Sequence, residues 1–203
     1  MTVIEVFAEV TCPFTHVGLR RFVEHRASVG RDDVMVRVRA WPLEIVNGAP
    51  LQPDFIAEEI DEIRDQVAAD LFRGFTTEAF PTSSIPALAL TAAAYVRSPR
   101  VGEQVSLALR DLLFEQGQDI ADPRVLNEVA SMHGLAVGPH DTNRVLADHA
   151  EGIERKVIGS PHFFTPGGDF FCPALDVHRE DNGHLRVTAD PAGFDRFLAA
   201  CFD

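Results

Sequence analysis

Cysteine is scarce in this sequence. The 203 residues include three, Cys12, Cys172 and Cys201, an odd number at wide spacings. This pattern excludes the disulfide framework of a small secreted domain. It also excludes a zinc site, because no pair of cysteines, or of cysteine and histidine, has ligand spacing. The eight histidines are scattered and form no HExxH motif. We therefore predict no metal site.

Basic residues are also in the minority. Lysine and arginine number 18 against 31 aspartates and glutamates, which gives a formal charge of −13. This balance argues against binding nucleic acid or an anionic membrane through a general basic surface. No run approaches the ~20 apolar residues that a membrane-spanning helix needs, and no signal-peptide pattern is visible. We expect a cytoplasmic protein with neither a nucleic-acid nor a membrane partner.

The stretch from Val3 to Phe22 carries the first chemical signal. Val3 to Phe7 is an apolar, β-branched and aromatic run that predicts a buried strand. Cys12 and Pro13 follow, and apolar residues at helical spacing come next, so Cys12 is expected in a tight turn at a helix N-terminus. Such a position favours an anion and predicts a reactive thiol with a modestly lowered pKa. The alternative is a small buried cysteine without chemistry.

The rest of the chain divides into strand, helices and strands again. Residues 34–41 alternate as a second strand and complete a β-α-β unit. Residues 54–157 hold successive amphipathic helices without a convincing strand, which predicts an all-helical insertion. Residues 160–172 predict a β-hairpin, an EDNG turn at 180–183 precedes a short strand, and a last helix begins at Asp190.

The hairpin also concerns the second cysteine. A turn at Gly167-Gly168 pairs Phe163 with Cys172 across the two strands. Cys172 then lies near the active-site end of the sheet, where it can resolve a mixed disulfide formed at Cys12. The alternative is a buried sheet cysteine too far from Cys12 to bond with it, because disulfide-linked Cα atoms lie within ~7 Å of each other.

The order β-α-β, helices, β-β, α, with CPFT at 12–15 and GSPHFF at 159–164, resembles the thioredoxin fold of the DsbA-like family. Within that family, the start FAEVTCPFTHVGLRRF looks closest to the FrnE-like and 2-hydroxychromene-2-carboxylate isomerase group. The resemblance implies an α/β thioredoxin fold with an inserted all-helical subdomain. We place the thioredoxin-like domain at 1–53 and 157–203 and the insertion at 54–156.

The family motif is Cys-Pro-x-Cys, and Thr15 stands in place of its second cysteine. A dithiol site needs that second thiol to resolve the mixed disulfide. The resemblance therefore implies a monothiol site, at which Cys12 forms a mixed disulfide that another thiol releases. The Thr15 hydroxyl can hydrogen-bond the Cys12 thiolate, or it can merely cap the first helical turn.

The family also has a cis-proline, preceded by a small residue, that faces the active-site cysteine. Ser160 and Pro161 match this feature. The resemblance implies a cis bond between them and a backbone edge exposed to an extended substrate or a thiol tripeptide. Together with Pro13 and Phe14 of the motif, they are the expected substrate-binding residues.

Three residues are candidate accessory groups. Glu9 matches the acidic position of the resembling group and is either a buried proton acceptor beneath the thiol or an exposed residue. His16, one helical turn after Cys12, either influences the thiolate or is a packing histidine. His162 follows Pro161 on a strand that can present it to either face of the sheet.

These residues are compatible with three functions. The first is a DsbA-like thiol–disulfide oxidoreductase, acting through Cys12 on a small-molecule or protein thiol or disulfide. The second is a glutathione-transferase-like or isomerase-like enzyme, in which the helix N-terminus holds a thiolate cofactor and Cys12 only assists. The isomerase branch has serine at that position. The third is a non-catalytic binding module. We expect no tightly bound cofactor, a low-molecular-weight thiol as co-substrate, and leave a homodimer open.

Overall fold

Strands near both ends of the chain enclose a run of helices. The computed structural model describes residues 2–136, 138–181 and 183–202, so Asn182 of the expected EDNG turn lies outside the described residues. In chain order the elements are β1 (Thr2–Ala8), α1 (Pro13–Ser28), β2 (Val34–Ala40), α2 (Leu43–Val46), α3 (Pro53–Gln66), α4 (Ile85–Arg97), α5 (Pro99–Phe114), α6 (Pro123–Met132), α7 (Pro139–Glu154), β3 (His162–Thr165), β4 (Gly168–Phe171), β5 (Leu175–Arg179), β6 (Leu185–Ala189) and α8 (Pro191–Phe202).

The main sheet has four strands in the order β2-β1-β3-β4. β1 is parallel to β2 and antiparallel to β3, so that Val6 pairs with Val38 on one side and with Phe163 on the other. The prediction that these three strands share one sheet is confirmed. Since β1 is paired on both sides, the turn that follows it and carries Cys12 starts from a well-supported strand.

The sheet buries its apolar side chains against α1 and α8. Ile4 and Val6 of β1 pack in one cluster with Phe22 of α1 and Phe197 of α8. Phe7 belongs to a different cluster, as expected for a strand whose successive side chains point to opposite faces. This two-sided packing holds β1 and α1 in place at the site.

Proline stands in the first turn of α1 and of α3 to α8. It fits there because the N–H that it lacks has no intrahelical partner at that position. The last helix begins at Pro191, one residue after the predicted start at Asp190. The one-turn helix α2 was not predicted.

Helices α3 to α7 lie between β2 and β3 and form the inserted helical subdomain. β5, which was not predicted, and β6 form a separate two-stranded sheet. This hairpin packs on α3 through apolar side chains such as Val187 and through ion pairs of Arg179 with Glu58 at 3.1 Å and of Arg186 with Glu62 at 3.4 Å. The domain boundaries at 53/54 and 156/157 remain a prediction. Of the helices described, none is long and apolar enough to cross a membrane.

The turn between β3 and β4 differs from the predicted one. Thr165 pairs with Gly168, so Pro166 and Gly167 form the turn rather than the two glycines. The Thr165 hydroxyl accepts the N–H of Gly167 at 3.1 Å and donates to the carbonyl of Gly168 at 2.9 Å. Proline suits the turn because its φ is preset, and it cannot sit in the ladder because it lacks an N–H.

This turn shifts the hairpin register by two residues. Phe163 pairs with Phe170, and the predicted pairing of Phe163 with Cys172 is wrong. Cys172 lies just beyond β4, where its N–H donates to the carbonyl oxygen of Pro161 at 2.9 Å. Cys172 is therefore next to the proline expected at the site.

Candidate active site

Cys12 caps the N-terminus of α1 and is followed by Pro13 at the first helical position. Its side chain is buried, and Sγ donates to the carbonyl oxygen of Ser160 at 3.3 Å. The Ser160–Pro161 bond is cis, as the resemblance implied. The fold thus brings together the two sequence motifs, although 148 positions separate Cys12 from Ser160.

A chain of hydrogen bonds surrounds the thiol. The Ser160 hydroxyl accepts the N–H of Glu9 at 2.9 Å and lies 2.8 Å from the Thr15 hydroxyl. Either of these two hydroxyls can donate to the other. Hydrogen bonds from both hydroxyls lower the pKa of Cys12, and that from Thr15 lowers it more. Thr15 is therefore more than a helix cap.

The expected acidic thiol is not what the structure supports. The pKa of Cys12 is raised, and the largest cause is burial, which disfavours the thiolate. The Thr15 hydroxyl and N–H and the Ser160 hydroxyl oppose this rise, whereas the charge of Glu59 adds to it. The prediction of a lowered pKa was wrong because it considered only the helix N-terminus. It did not include the burial of Cys12, which a sequence does not show.

Glu9 is buried, which decides between its two predicted placements. Its carboxylate accepts the N–H groups of Thr11 at 3.2 Å and Leu43 at 2.8 Å and the Ser84 hydroxyl at 2.9 Å. Burial raises its pKa, and these donors lower it. Glu9 thus ties the turn before Cys12 to the starts of α2 and α4.

Arg110 of α5 is a site residue that sequence reasoning missed. It is almost fully buried, and its guanidinium donates to the backbone carbonyl of Glu9 at 3.1 Å and to the Ser106 hydroxyl at 2.7 Å. Burial lowers its pKa to about 10, while the charges of Glu9 and Cys12 act in the other direction. The only signal in the sequence is an arginine within the apolar helical stretch LALRDLLF.

His16 interacts with a partner other than the thiol. Its Nε2 lies 2.7 Å from Glu115 Oε1, and its ring contacts those of Phe72 and Phe114 at centroid distances of 5.2 and 4.9 Å. Burial lowers its pKa, although Glu115 opposes that shift. The packing alternative for His16 is therefore the one that the structure supports.

His162 is buried on β3 and is also engaged away from Cys12. Its Nδ1 accepts the N–H of Ile158 at 3.3 Å, so in the neutral ring Nε2 carries the proton and donates to Asp169 at 3.1 Å. Its ring stacks on Phe164. This side chain fixes the segment before the cis-proline.

A cavity of about 510 Å³ opens beside Cys12. A volume of this size suits a small organic molecule. The motif residues Pro13 and Phe14 line it, as does Ser160. The other lining residues come from α2 and the segment after it, from α3, from the segment before β3, and from β4, β5 and the segment between them: Leu43, Asn47, Leu51, Phe55, Ile56, Glu59, Gly159, Phe171, Cys172, Leu175, Asp176 and Val177.

Cys172 therefore shares a cavity with Cys12, and both thiols are free. Burial raises the pKa of Cys172, and the charges of Cys12 and Glu59 add to the rise. Its φ of +44° lies in the left-handed region that few residues other than glycine adopt. Hydrogen bonds of its N–H to Pro161 and of its carbonyl from Leu175 hold it there.

Glu59 is the other residue that sequence reasoning missed. It lies on α3 with 8% of its surface exposed, and it lines the cavity. Burial raises its pKa to about 8. The charge of Arg179 opposes this rise, and the charge of Glu58 adds to it.

In the part of the chain that the structure describes, no group of three or more metal-ligating side chains is present.

Comparisons with known proteins agree with this geometry. The model of the DSBA-like thioredoxin domain matches residues 3–182. No curated protein matches the sequence. A candidate protein disulfide isomerase from Nitrosomonas europaea superposes with a TM-score of 0.62 at 16% identity, covering 98% of this chain and 96% of that one.

Two further solved structures share the fold. The 2-hydroxychromene-2-carboxylate isomerase gives a TM-score of 0.58 at 14% identity, over 83% of this chain and 88% of its own. The cytosolic disulfide reductase DsbM from Pseudomonas aeruginosa gives 0.56 at 14% identity, over 97% of both chains. With the domain match covering most of the sequence, and Cys12 set against a cis-proline, this chain belongs to the DsbA-like thioredoxin family.

Proposed function

We propose that this protein is a thiol–disulfide oxidoreductase that works by a monothiol route through Cys12. The observation that carries the proposal is the position of Cys12 Sγ, which lies at a helix N-terminus, 3.3 Å from the Ser160 carbonyl and beside a cavity. Thr15, which stands in place of the motif's second cysteine, supplies a hydroxyl rather than a thiol.

The proposed exchange proceeds in two balanced steps. The Cys12 thiolate attacks one sulfur of a disulfide RSSR, a bond forms between Cys12 and that sulfur, and RS⁻ leaves with the electron pair and takes up a proton. A second thiol R′SH then attacks the mixed disulfide as its thiolate, releases Cys12 and forms RSSR′. The Thr15 hydroxyl stabilises the Cys12 thiolate at the start and the end of this cycle.

The substrate-binding role of Pro13, Phe14, Ser160 and Pro161 is part of the proposal. Pro13, Phe14 and Ser160 line the cavity, and the Ser160 carbonyl contacts the thiol. The co-substrate is a low-molecular-weight thiol. A cytosolic setting is also proposed, and the likeness in fold to a cytosolic disulfide reductase is compatible with it.

Intact-mass analysis tests this function. After exposure to an excess of 2-hydroxyethyl disulfide, the wild-type protein should gain one 2-hydroxyethylthio group, and a reducing thiol should remove it. The Cys12→Ser variant should gain none. An unmodified wild type, or an equal gain in Cys12→Ser, would refute the proposal.

A second candidate is the glutathione-transferase-like or isomerase-like enzyme, which transforms a small molecule with the help of a thiol cofactor. The burial of Cys12 and the raised pKa of its thiol favour this candidate, since they slow attack by the thiolate itself. Substrate turnover that survives in Cys12→Ser would decide for it.

A further inference from the structure

The cavity beside Cys12 has a one-sided electrostatic character. Its lining is mostly apolar and includes two carboxyl groups, Glu59 and Asp176. None of the described residues that line it is an arginine, a lysine or a histidine. A ligand that enters therefore meets no cation that could pair with a carboxylate, a phosphate or a sulfonate.

Glu59 dominates this environment because it is buried and has no partner. Among the described residues, no hydrogen bond or ion pair reaches its carboxyl group. Only 8% of the residue's surface is exposed, and its carboxyl oxygens keep accessible surface at the cavity. Asp176, by contrast, is largely exposed and pairs with His178 at 3.8 Å. An unpaired buried carboxyl group is costly for a fold, and such groups are concentrated at functional sites.

The charged groups around Glu59 are otherwise engaged. Arg179 of β5 pairs with Glu58 at 3.1 Å and lies over the Phe55 ring at 5.4 Å. On β6, Arg186 is bound to Glu62. The other titratable groups that line the cavity with Glu59 are Asp176 and the thiols of Cys12 and Cys172. The charge of Glu59 raises the pKa values of both thiols.

This inference rests on the thiol exchange proposed for Cys12. We propose that the cavity accepts uncharged or cationic small thiols and their disulfides and disfavours those whose charged groups are all anionic, with Glu59 receiving the cationic or hydrogen-bond-donating end of the substrate. The exchange itself is the balanced step given above, so Glu59 takes no part in bond making and acts as a specificity-determining residue.

The selectivity is expected to depend on pH in a defined direction. Burial raises the pKa of Glu59 to about 8, so in the empty cavity at pH 7 the carboxyl is largely protonated. Above pH 8 it becomes an anion, which attracts a cationic substrate and repels an anionic one. The preference for cations should therefore increase as the pH rises from 7 to 9.

Three matched disulfides with fixed charges test this directly. They are bis(2-trimethylammonioethyl) disulfide, 2-hydroxyethyl disulfide and bis(2-sulfoethyl) disulfide, which carry positive, neutral and negative ends at every pH used. The rate of mixed-disulfide formation on Cys12 is measured by mass for each. Each rate is divided by that of the same probe with 2-mercaptoethanol, which removes differences in intrinsic reactivity. The ratio of cation to anion rates also cancels the thiolate fraction of Cys12.

We expect this ratio to rise about tenfold between pH 7 and pH 9 in the wild type, as for one new charge at close range in a partly buried site. Glu59→Gln should make the ratio independent of pH. Asp61→Asn, which removes an exposed charge from the same helix, should leave the rise unchanged.

The outcomes distinguish a failure of this inference from a failure of the thiol function proposed for Cys12. A wild-type ratio that stays flat, or a rise that persists in Glu59→Gln, overturns the inference while reaction at Cys12 upholds the thiol function. A wild type that reacts with none of the three probes overturns both. Because the wild-type pH profile is informative by itself, the test does not depend on how well any variant folds.

Discussion

Replacing Thr15 by valine tests how the thiolate of Cys12 is stabilised. Valine has nearly the shape of threonine and lacks the hydroxyl. Thr15 is fully buried, its hydroxyl lies 2.8 Å from that of Ser160, and it favours the thiolate of Cys12. In the variant, Ser160 keeps its bond from the N–H of Glu9, so the change is confined to the two hydrogen bonds of the Thr15 hydroxyl, with Ser160 and with the Cys12 thiolate.

The size of the effect follows from the strength of the hydrogen bond to the thiolate. A hydrogen bond to a charged group contributes ~1.5–3 kcal/mol, and ~1.4 kcal/mol is a tenfold change in an equilibrium. At a pH below the pKa of Cys12, the variant should therefore have roughly 10- to 100-fold less thiolate. A more basic thiolate is also a better nucleophile, with a Brønsted coefficient of ~0.4–0.5, so the exchange rate should fall only about 3- to 15-fold.

The assay is the pH dependence of iodoacetamide alkylation together with thiolate absorbance, with Cys12→Ser subtracted as the baseline. Since burial raises the pKa of Cys12, its thiolate should appear only above the ordinary pKa of a thiol. The variant should titrate at still higher pH, and Thr15→Ser, which keeps the hydroxyl, should follow the wild type. A Cys12 already ionised at neutral pH, or a Thr15→Val profile that coincides with the wild type, would refute this reasoning.

Three further predictions concern the groups around the thiol. Thr15→Cys should increase the rate at which the protein reduces insulin disulfides, and the double variant with Cys172→Ser should show the same increase. A turbidity assay measures the rate for each variant, and an increase that is lost with Cys172→Ser would contradict this prediction. Glu59→Gln should stabilise the fold increasingly as the pH rises from about 4.5 to about 8, by up to ~5 kcal/mol, because the native carboxyl keeps a proton that the unfolded one loses; urea midpoints at pH 5 and pH 8 that shift equally would count against it. Arg110→Met removes a buried cation that attracts the Cys12 thiolate, so alkylation should need higher pH, with Arg110→Lys in between; unchanged pH profiles would exclude that role.

The sequence was sufficient to predict the frame of the site. Cys12 at a helix N-terminus follows from local chemistry, because a strand run ends in Cys-Pro and proline suits the first helical turn. The cis bond at Pro161 followed from a resemblance, and the helical insertion from periodicity. The helix start and the helical insertion depend on neighbours in the chain, which a sequence displays directly.

What the sequence could not supply depends on distant contacts. Glu59 lines the cavity beside Cys12, and Arg110 binds the turn before Cys12, only because α3 and α5 pack beside α1; helical periodicity does not say which helix faces which. The lowered pKa of Cys12 was wrongly expected because the exposure of its thiol depends on all the segments that pack around it. The hairpin register failed for a local reason: Pro166 takes the turn position that was assigned to a glycine.

In the monothiol route proposed for Cys12, Thr15 in place of the motif's second cysteine also determines which variable sets the redox state of the site. An internal disulfide forms with release of two small thiols for each small disulfide consumed, so its equilibrium depends on the square of the thiol concentration. A mixed disulfide on Cys12 forms with release of one thiol, so its occupancy depends only on the ratio of disulfide to thiol. Diluting that pool at constant ratio oxidises a dithiol site and leaves Cys12 as it was. Such a protein responds to the composition of the surrounding thiol pool and is indifferent to its size.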